Sequence, residues 1–422
     1  MIVMGGIIGS GIFMNPHVVA EAVHSPAAIL GAWAVGGLIA LAGAFIYAEL
    51  AALRPQVGGQ YAYIREALHP MLAFMYGWTL LLVVQTGGMA AVAVTFARYF
   101  IELSQTTIND RVLAATALAV LTVVNCFGVR AGGTLQSVLM VLKIAAIVAL
   151  IGFGLSTGNR VVSSGASPGR DRSAELTAFG AALVPVLFAY GGWQTANFIA
   201  GEIREPRKNL PRALVLGVIG VVLLYLAVNY VCVNVLGVDE LAATKTPASE
   251  VMRLALGEKG SRLIAVGIAV STLGFLSQGM LTAPRVYFAM ASDGLFFKRV
   301  AWLHPRTRVP VVAIVAQGSL AIVIALAGRY EQILNYVVSI DSIFFGVTAA
   351  CLFALRRMSA TDGLTKNGLK VNAIVIVLFI AAEWLVAASA IYKDPRNSAI
   401  GVGILLAGIP VYLYWRGRLK RG

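Results

Sequence analysis

The chain has 422 residues, of which 59% are hydrophobic and 12% are charged, and its formal net charge is +14. Soluble domains carry about 25% charged residues, so this composition excludes a soluble globular protein and predicts an all-α integral membrane protein. The Lys and Arg residues cluster in alternate loops, which indicates a membrane topology and no nucleic-acid partner.

Apolar runs long enough to span a bilayer predict about twelve transmembrane helices. The runs lie at about 1–22, 27–53, 72–101, 111–128, 133–156, 176–200, 211–236, 261–291, 309–327, 332–355, 371–391 and 398–415. An even number puts both termini on one side, and the excess of Lys and Arg on that side predicts that it is cytoplasmic. The polar segment before the eighth run contains residues 248–256, which predict a short surface helix over the mouth.

Glycines interrupt the first run, in the stretch Met4-Gly5-Gly6-Ile7-Ile8-Gly9-Ser10-Gly11-Ile12-Phe13. Each glycine costs about 1 kcal/mol in a helix interior, and unwound backbone at bilayer depth is tolerated only when it is buried or lines a cavity. A break at Gly9-Ser10-Gly11 therefore predicts a ligand cavity, with N–H groups ready to bind a carboxylate. The alternative is a close-packing face, because Gly5 and Gly9 form a small-xxx-small pair.

The sixth run has a second interruption, in Phe188-Ala189-Tyr190-Gly191-Gly192-Trp193-Gln194-Thr195-Ala196-Asn197. Pro185 removes a helix donor before this stretch, and the two consecutive glycines weaken the helix within it. Glycine-interrupted segments at corresponding positions of two halves are typical of a transporter binding site between inverted repeats. The paired interruptions favour a site over packing alone.

Three ionisable residues lie at membrane depth: Lys143, Asp341 and Glu383. Lys143 is near the middle of its run, so it indicates either a functional site or a structural lysine bonded to carbonyls. The four histidines make no HxxxH or HExxH pattern, so we predict neither an enzyme nor a metal site. No pore-lining repeat indicates a channel.

An ordered set of motifs covers nearly the whole chain. Besides the two glycine-rich stretches, it comprises Tyr47-Ala48-Glu49-Leu50, Gly58-Gly59-Gln60-Tyr61-Ala62-Tyr63, Glu202-Ile203-Arg204-Glu205-Pro206-Arg207-Lys208-Asn209-Leu210-Pro211 and Pro284-Arg285-Val286-Tyr287-Phe288-Ala289-Met290-Ala291-Ser292-Asp293-Gly294. In these motifs the sequence resembles the amino acid–polyamine–organocation (APC) superfamily, in its L-type amino-acid transporter (LAT) branch.

The resemblance implies a LeuT-type fold, with two inverted five-helix repeats at 1–157 and 176–355, broken first and sixth helices, and two accessory helices at 371–416. It implies alternating-access transport of amino acids without a cofactor. The eleventh and twelfth helices of the family usually lie outside the transport core, so we expect Glu383 at an interface and Asp341 as a satisfied structural acid. Only eight residues precede Gly9, fewer than in the family, which predicts a trimmed start or an abbreviated inner gate.

The resemblance also implies where a zwitterionic substrate binds. Its carboxylate would meet backbone amides at Ser10 and Gly11, next to Gly9 and with the Ser10 hydroxyl nearby. Its ammonium group would meet the carbonyls of Ile7, Phe188, Ala189 and Gly191.

Further residues carry expected roles. Phe188 corresponds to an aromatic lid, with simple packing as the alternative, and Tyr225 to a tyrosine that governs the asymmetry between the two faces of the site. Lys143 would replace sodium and tie the first helix to the eighth, where Ser271 or Thr272 is the expected partner. Gln194 stands where some relatives carry a carboxylate, which predicts neutral substrates.

The sequence therefore predicts a sodium-independent exchanger of neutral L-amino acids. A proton-coupled symporter and a non-translocating amino-acid sensor remain alternatives. Some animal relatives join a heavy chain through a cysteine between the third and fourth helices, and residues 102–111 contain none. We expect a stand-alone multi-pass protein of a bacterial inner membrane, as a monomer or weak homo-oligomer.

Overall fold

The computed structural model describes residues 2–127, 129–158, 172–327, 330–361 and 370–419. Within these ranges the chain is helical and contains no β-strand. Nine helical segments there are long and apolar enough to cross a membrane, and the shorter Val311–Ala327 is also apolar. The predicted all-α membrane fold is confirmed, whereas its division into repeats at 1–157 and 176–355 and accessory helices at 371–416 stays a prediction.

The helices follow one another along the chain with short connections. They are α1 (Ile2–Ile7), α2 (Gly11–Val23), α3 (Pro26–Leu53), α4 (Gln60–Ala67), α5 (Pro70–Thr79), α6 (Gln85–Ser104), α7 (Asp110–Cys126), α8 (Val129–Ser156), α9 (Arg172–Tyr190), α10 (Pro206–Ala243), α11 (Pro247–Leu256), α12 (Glu258–Thr282), α13 (Pro284–Ser292), α14 (Val311–Ala327), α15 (Tyr330–Thr361), α16 (Ala373–Lys393) and α17 (Pro395–Leu419). A π-helical turn at Leu80–Val84 joins α5 to α6, and 3₁₀ segments occupy Trp193–Glu202 and Lys298–Ala301.

Both predicted interruptions are present. The first span is divided into α1 and α2, and the sixth into α9 and the 3₁₀ segment Trp193–Glu202. These broken spans lie side by side, because α1 packs against the 3₁₀ segment and α2 packs against α9. The surrounding helices hold them at the centre of the bundle: α10 packs along α3 and α2, and α12 packs along α6 and α8.

The predicted surface helix is also present, as α11, which packs on α12 and α8. Its amphipathic sequence buries Val251 and Met252 and leaves Arg253 exposed. The apolar face is what fixes such a short helix to the bundle.

Ion pairs connect α4, α13 and the end of the sixth span. Asp293, at the end of α13, forms an ion pair with Arg65 and accepts a hydrogen bond from the Tyr61 hydroxyl at 2.7 Å. Burial, together with the bond to Asp293, raises the pKa of Tyr61, so the phenol remains a neutral donor. Arg285 and Glu202 form a further pair at 2.9 Å. These contacts tie α4, α13 and the end of the sixth span together at one end of the bundle.

Candidate functional site

The break in the first span leaves a group of backbone donors free. Ser10 has helical dihedral angles but follows two irregular residues, and the turn of α2 begins with bonds from Phe13 and Met14 to the Ser10 carbonyl. The N–H groups of Gly9, Ser10, Gly11 and Ile12 donate to no carbonyl or side chain in the described part of the chain. Free N–H groups at a helix N-terminus can bind an anion such as a carboxylate.

The carbonyls on the other side of this break are held by side chains from neighbouring helices. Lys143 Nζ on α8 donates to the Ile8 carbonyl at 2.7 Å and to the Gly5 carbonyl at 3.3 Å. The Tyr225 hydroxyl on α10 donates to the Ile7 carbonyl at 3.3 Å. Both side chains are fully buried. A cation is stabilised there because the C-terminal end of a helix carries partial negative charge.

The prediction that Ser271 or Thr272 on the eighth span bonds to Lys143 is wrong. Ser271 Oγ is buried without a hydrogen-bond partner among the described residues, and the Thr272 hydroxyl bonds to the Ile268 and Ala269 carbonyls of its own helix. The Lys143 ammonium group instead donates to the Gly5 and Ile8 carbonyls, which the broken first helix leaves without a partner in their own helix. Contact with the eighth span comes from Gly274, where an added Cβ would lie 3.3 Å from Lys143 Cε.

The break in the sixth span is closed by its own residues. Gly192 has φ = 102°, a left-handed conformation that favours glycine. Its N–H donates to Gln194 Oε1 at 2.9 Å, and its carbonyl accepts from the Thr195 hydroxyl at 2.7 Å. The carbonyls of Ala189 and Gly191 accept no hydrogen bond from the described residues. They are the acceptors this break offers to a ligand.

Glycines let the two broken spans touch backbone to backbone. A Cβ on Gly192 would overlap the Gly6 carbonyl oxygen, and one on Gly6 would lie 2.7 Å from the Gly192 oxygen. A Cβ on Gly11 would lie 2.7 Å from Ala189 Cα. This stretch therefore lines a cavity and also packs closely on the sixth span, and the residues that make the close contacts are Gly6 and Gly11, not the predicted pair Gly5 and Gly9.

A cavity of about 90 Å³ lies between the two breaks. It is lined by all eight residues that the sequence predicts for substrate binding: Ile7, Gly9, Ser10, Gly11, Phe188, Ala189, Gly191 and Gln194. The cavity is not lined by Lys143, Tyr225, Ser271 or Thr272. Lys143 and Tyr225 contact the first break through the carbonyls of Gly5, Ile7 and Ile8. The roles of these residues in transport, including a lid formed by Phe188, stay predictions.

Two acidic residues line the cavity where the sequence interpretation expected none. Glu383 is not at an outer interface, because α16 packs against α9 and α15 and brings this residue to the cavity wall, where it is 4% exposed. Asp341 is not a satisfied structural acid, since it forms no hydrogen bond or ion pair within the described chain. In the sequence, the position of both acids at membrane depth was the feature that could have indicated a place in the cavity wall.

Polar residues of two other helices complete the lining and were not predicted. Gln85 follows the π-helical turn, and Gln278 on α12 donates to the Thr195 hydroxyl at 2.9 Å. A π-helical turn often marks a functional site, but nothing in the sequence Leu80–Val84 indicates one. Across the described ranges, no group of three or more His, Cys, Asp or Glu side chains is positioned to hold a metal ion.

The chain is similar to known proteins over nearly its whole length. The family model described as "Amino acid permease" matches residues 1–414. The chain is 30% identical to the serine/threonine exchanger SteT of Bacillus subtilis, with 97% of this chain and 94% of that protein covered. It is 29% identical to the human large neutral amino acids transporter small subunit 2 (99% and 80% covered) and 28% identical to the human cystine/glutamate transporter (97% and 82%). The chain therefore belongs to the amino acid permease family, as a LAT-like member of the APC superfamily.

Proposed function

We propose that this multi-pass amino-acid transporter is a sodium-independent exchanger of neutral L-amino acids that works by alternating access. The observation that carries the proposal is the pairing across one cavity of free N–H groups at Gly9–Ile12 with free carbonyls at Ala189 and Gly191. An amino acid is a zwitterion, so it needs donors at its carboxylate and acceptors at its ammonium group. Two broken helices supply both without a charged side chain.

The character of the cavity wall supports a substrate without net charge. Among the described residues that line the cavity there is no Lys, Arg or His to pair with an acidic side chain, and Asp341 and Glu383 would repel one. Gln194 presents a neutral amide whose oxygen already accepts the Gly192 N–H. The name of SteT states serine and threonine, and that of the human relative large neutral amino acids.

Lys143 supports independence from sodium. Its ammonium group already supplies a positive charge to the carbonyls of Gly5 and Ile8 at the first break. A bound sodium ion at the same carbonyls would compete with it for the same lone pairs and would be repelled by it.

Uptake of radiolabelled amino acid into vesicles containing the purified protein tests the proposal. We expect uptake of serine, alanine or leucine that is faster when the vesicles are preloaded with unlabelled amino acid and unchanged when choline replaces Na⁺. Loss of uptake in choline would overturn sodium independence. Stronger competition by arginine than by alanine would overturn the neutral specificity, and uptake that ignores internal amino acid would overturn exchange.

Two other modes remain candidates. Proton-coupled symport is favoured by the two carboxyl groups in the cavity wall, and uptake driven by an inward proton gradient into empty vesicles would support it. A non-translocating sensor would bind amino acids without any vesicle flux.

We propose a stand-alone carrier, a monomer or weak homo-oligomer, in a bacterial inner membrane with both termini cytoplasmic. The absence of cysteine from residues 102–111 supports independence from a disulfide-linked heavy chain. Modification of single introduced cysteines in the α4 region and in α11, by a reagent that does not cross membranes, would test the orientation.

A further inference from the structure

The wall of the cavity formed by α15 and α16 carries an acid cluster, defined here as Asp341, Ser342 and Glu383. Glu383 is 4% exposed, and its Oε2 atom has no hydrogen-bond donor within the described chain. Asp341 and Ser342 lie on α15, which packs against α16, and both line the same cavity as Glu383. A deeply buried carboxyl oxygen therefore lies in the cavity wall without a hydrogen-bond partner among the described residues.

No positive side chain balances these two acids. Among the described residues, none of the helices packed around the acid cluster places a Lys, Arg or His against it. The titratable groups that do face it are the phenols of Tyr47 on α3 and Tyr76 on α5, with the Cys351 thiol beside Tyr47. Lys143 does not line this wall, because its ammonium group bonds to the Gly5 and Ile8 carbonyls.

The two acids differ in their access to water. Asp341 is partly accessible through the cavity, whereas Glu383 Oε2 is closed to it. An amino acid that fills the cavity removes water from Asp341 as well. Burial disfavours the charged form of a carboxyl group, and a neighbouring like charge disfavours it further. The cation that restores neutrality must be small, because only a proton can reach an oxygen that is sealed on all sides.

We propose that the acid cluster is a proton-binding site linked to the substrate site: when a neutral amino acid binds, the Asp341–Glu383 pair takes up one proton from solvent. The proton forms an O–H bond at a carboxyl oxygen of the pair, and no bond of the amino acid changes. Because linkage is reciprocal, acidification must strengthen amino-acid binding by the same factor by which the amino acid strengthens proton binding. The proposal rests on the proposed function, since it takes a neutral amino acid as the ligand.

Equilibrium binding to the purified protein in lipid nanodiscs tests this directly, with alanine, serine and leucine as probes. Proton uptake is followed with an indicator dye in weakly buffered solution. We expect about one proton to be taken up per amino acid bound, and the Kd to rise by up to about tenfold per pH unit across the range where uptake occurs. Glu383→Gln, which is nearly the same shape, should bind amino acid without proton uptake and with a pH-independent Kd.

Two further variants complete the test. Asp341→Asn should behave like Glu383→Gln, which keeps the proposal testable if one of them does not fold. Glu175→Gln removes an exposed carboxylate from α9, outside the cavity, and should retain both proton uptake and pH dependence.

The failures are distinguishable. Binding of alanine, serine or leucine to the wild type without proton uptake would overturn the proton site and leave the proposed function intact. If ornithine binds more tightly than alanine and Glu383→Gln removes that preference, the acids recognise a substrate ammonium group and the proposal is wrong. No binding of any neutral amino acid by folded wild-type protein would overturn the proposed function itself.

Discussion

The two breaks that face the cavity hold their backbone in place in opposite ways. At the first, the carbonyls of Gly5, Ile7 and Ile8 are held from outside, by Lys143 on α8 and Tyr225 on α10. At the sixth, Gly192 is held by the next residues in its own chain, through the Gln194 and Thr195 side chains.

This difference separates two requirements of a binding site. The sixth break keeps its shape by local bonds, so it provides a fixed wall and free carbonyls. The first break leaves its donors free for a ligand, and it therefore depends on other helices for its geometry. A change in the position of α8 would reach the first break through Lys143, whereas α10 contacts both breaks, through Tyr225 at the first and through its packing on Trp193–Glu202 at the sixth. The variants below test that asymmetry.

Lys143→Met should have the largest effect. It keeps the length and removes the charge, which leaves the Ile8 and Gly5 carbonyls buried without a donor. Each unsatisfied group costs about 1–3 kcal/mol, so we expect uptake to fall by about 100-fold or more. Initial rates of radiolabelled serine uptake, normalised to the amount of reconstituted protein, provide the measurement.

A matched loss of charge serves as the control. Lys259 lies exposed at the start of α12, and Lys259→Met should leave uptake within about twofold, since exposed charges contribute little. If Lys143→Met transports as well as Lys259→Met, the first break does not depend on its neighbours and the comparison fails.

A single methyl group placed at each break should distinguish them next. In Gly11→Ala the new Cβ would lie 2.7 Å from Ala189 Cα, so α2 must move away from α9. In Gly191→Ala it would lie 3.3 Å from the Phe188 carbonyl oxygen, a contact that a small shift relieves. We expect substrate affinity to fall by about tenfold or more in Gly11→Ala and by less than about threefold in Gly191→Ala.

Isothermal titration of the two alanine variants with substrate measures these affinities. Their melting temperatures are compared in parallel, so that a loss of binding is separated from a loss of fold. Equal losses of affinity in both variants would mean that the breaks are equally constrained, against the asymmetry proposed here.

The sequence predicts the positions of both breaks because closely spaced glycines weaken a helix, and unwound backbone at bilayer depth must be buried or line a cavity. The local sequence alone locates Gly9-Ser10-Gly11 and Gly191-Gly192, and the predicted cavity-lining residues are the neighbours of these two breaks. The sequence also finds Lys143, because a cation in the middle of an apolar run is costly. Local chemistry of this kind is visible without knowledge of the fold.

What the sequence could not provide is the packing of distant helices. The position of Glu383 in the cavity depends on how α16 lies against α9 and α15, which no local pattern specifies. The same limit applies to the partner of Lys143. Once the first helix is broken, nearby carbonyls outcompete the hydroxyls of Ser271 and Thr272, one of which already bonds to its own helix.

Tyr225→Phe should have a moderate effect, since it removes one donor from the first break without opening a cavity. The hydroxyl is 3.3 Å from the Ile7 carbonyl, a long hydrogen bond of about 0.5–1.5 kcal/mol. We expect substrate affinity to weaken by about threefold to tenfold in the same binding titration. Tyr230→Phe, an exposed tyrosine on the same helix, should have no effect. Equal affinities in Tyr225→Phe and wild type would remove Tyr225 from the account of the first break.

Gln194→Leu should have the smallest effect, although its side chain lines the cavity and bonds directly to the break. It removes the acceptor of the Gly192 N–H but leaves the Thr195 hydroxyl on the Gly192 carbonyl, and Gly6 still packs against the same residue. Water in the cavity can accept the Gly192 N–H in place of the lost amide oxygen, so the variant loses one partly solvated hydrogen bond of about 0.5 kcal/mol. We therefore expect substrate affinity to change by less than about threefold. The same titration measures it, with Thr195→Val as the comparison for the other local bond. A tenfold loss in Gln194→Leu alone would show that its amide contacts the substrate, because the local bond by itself is too weak to produce that loss.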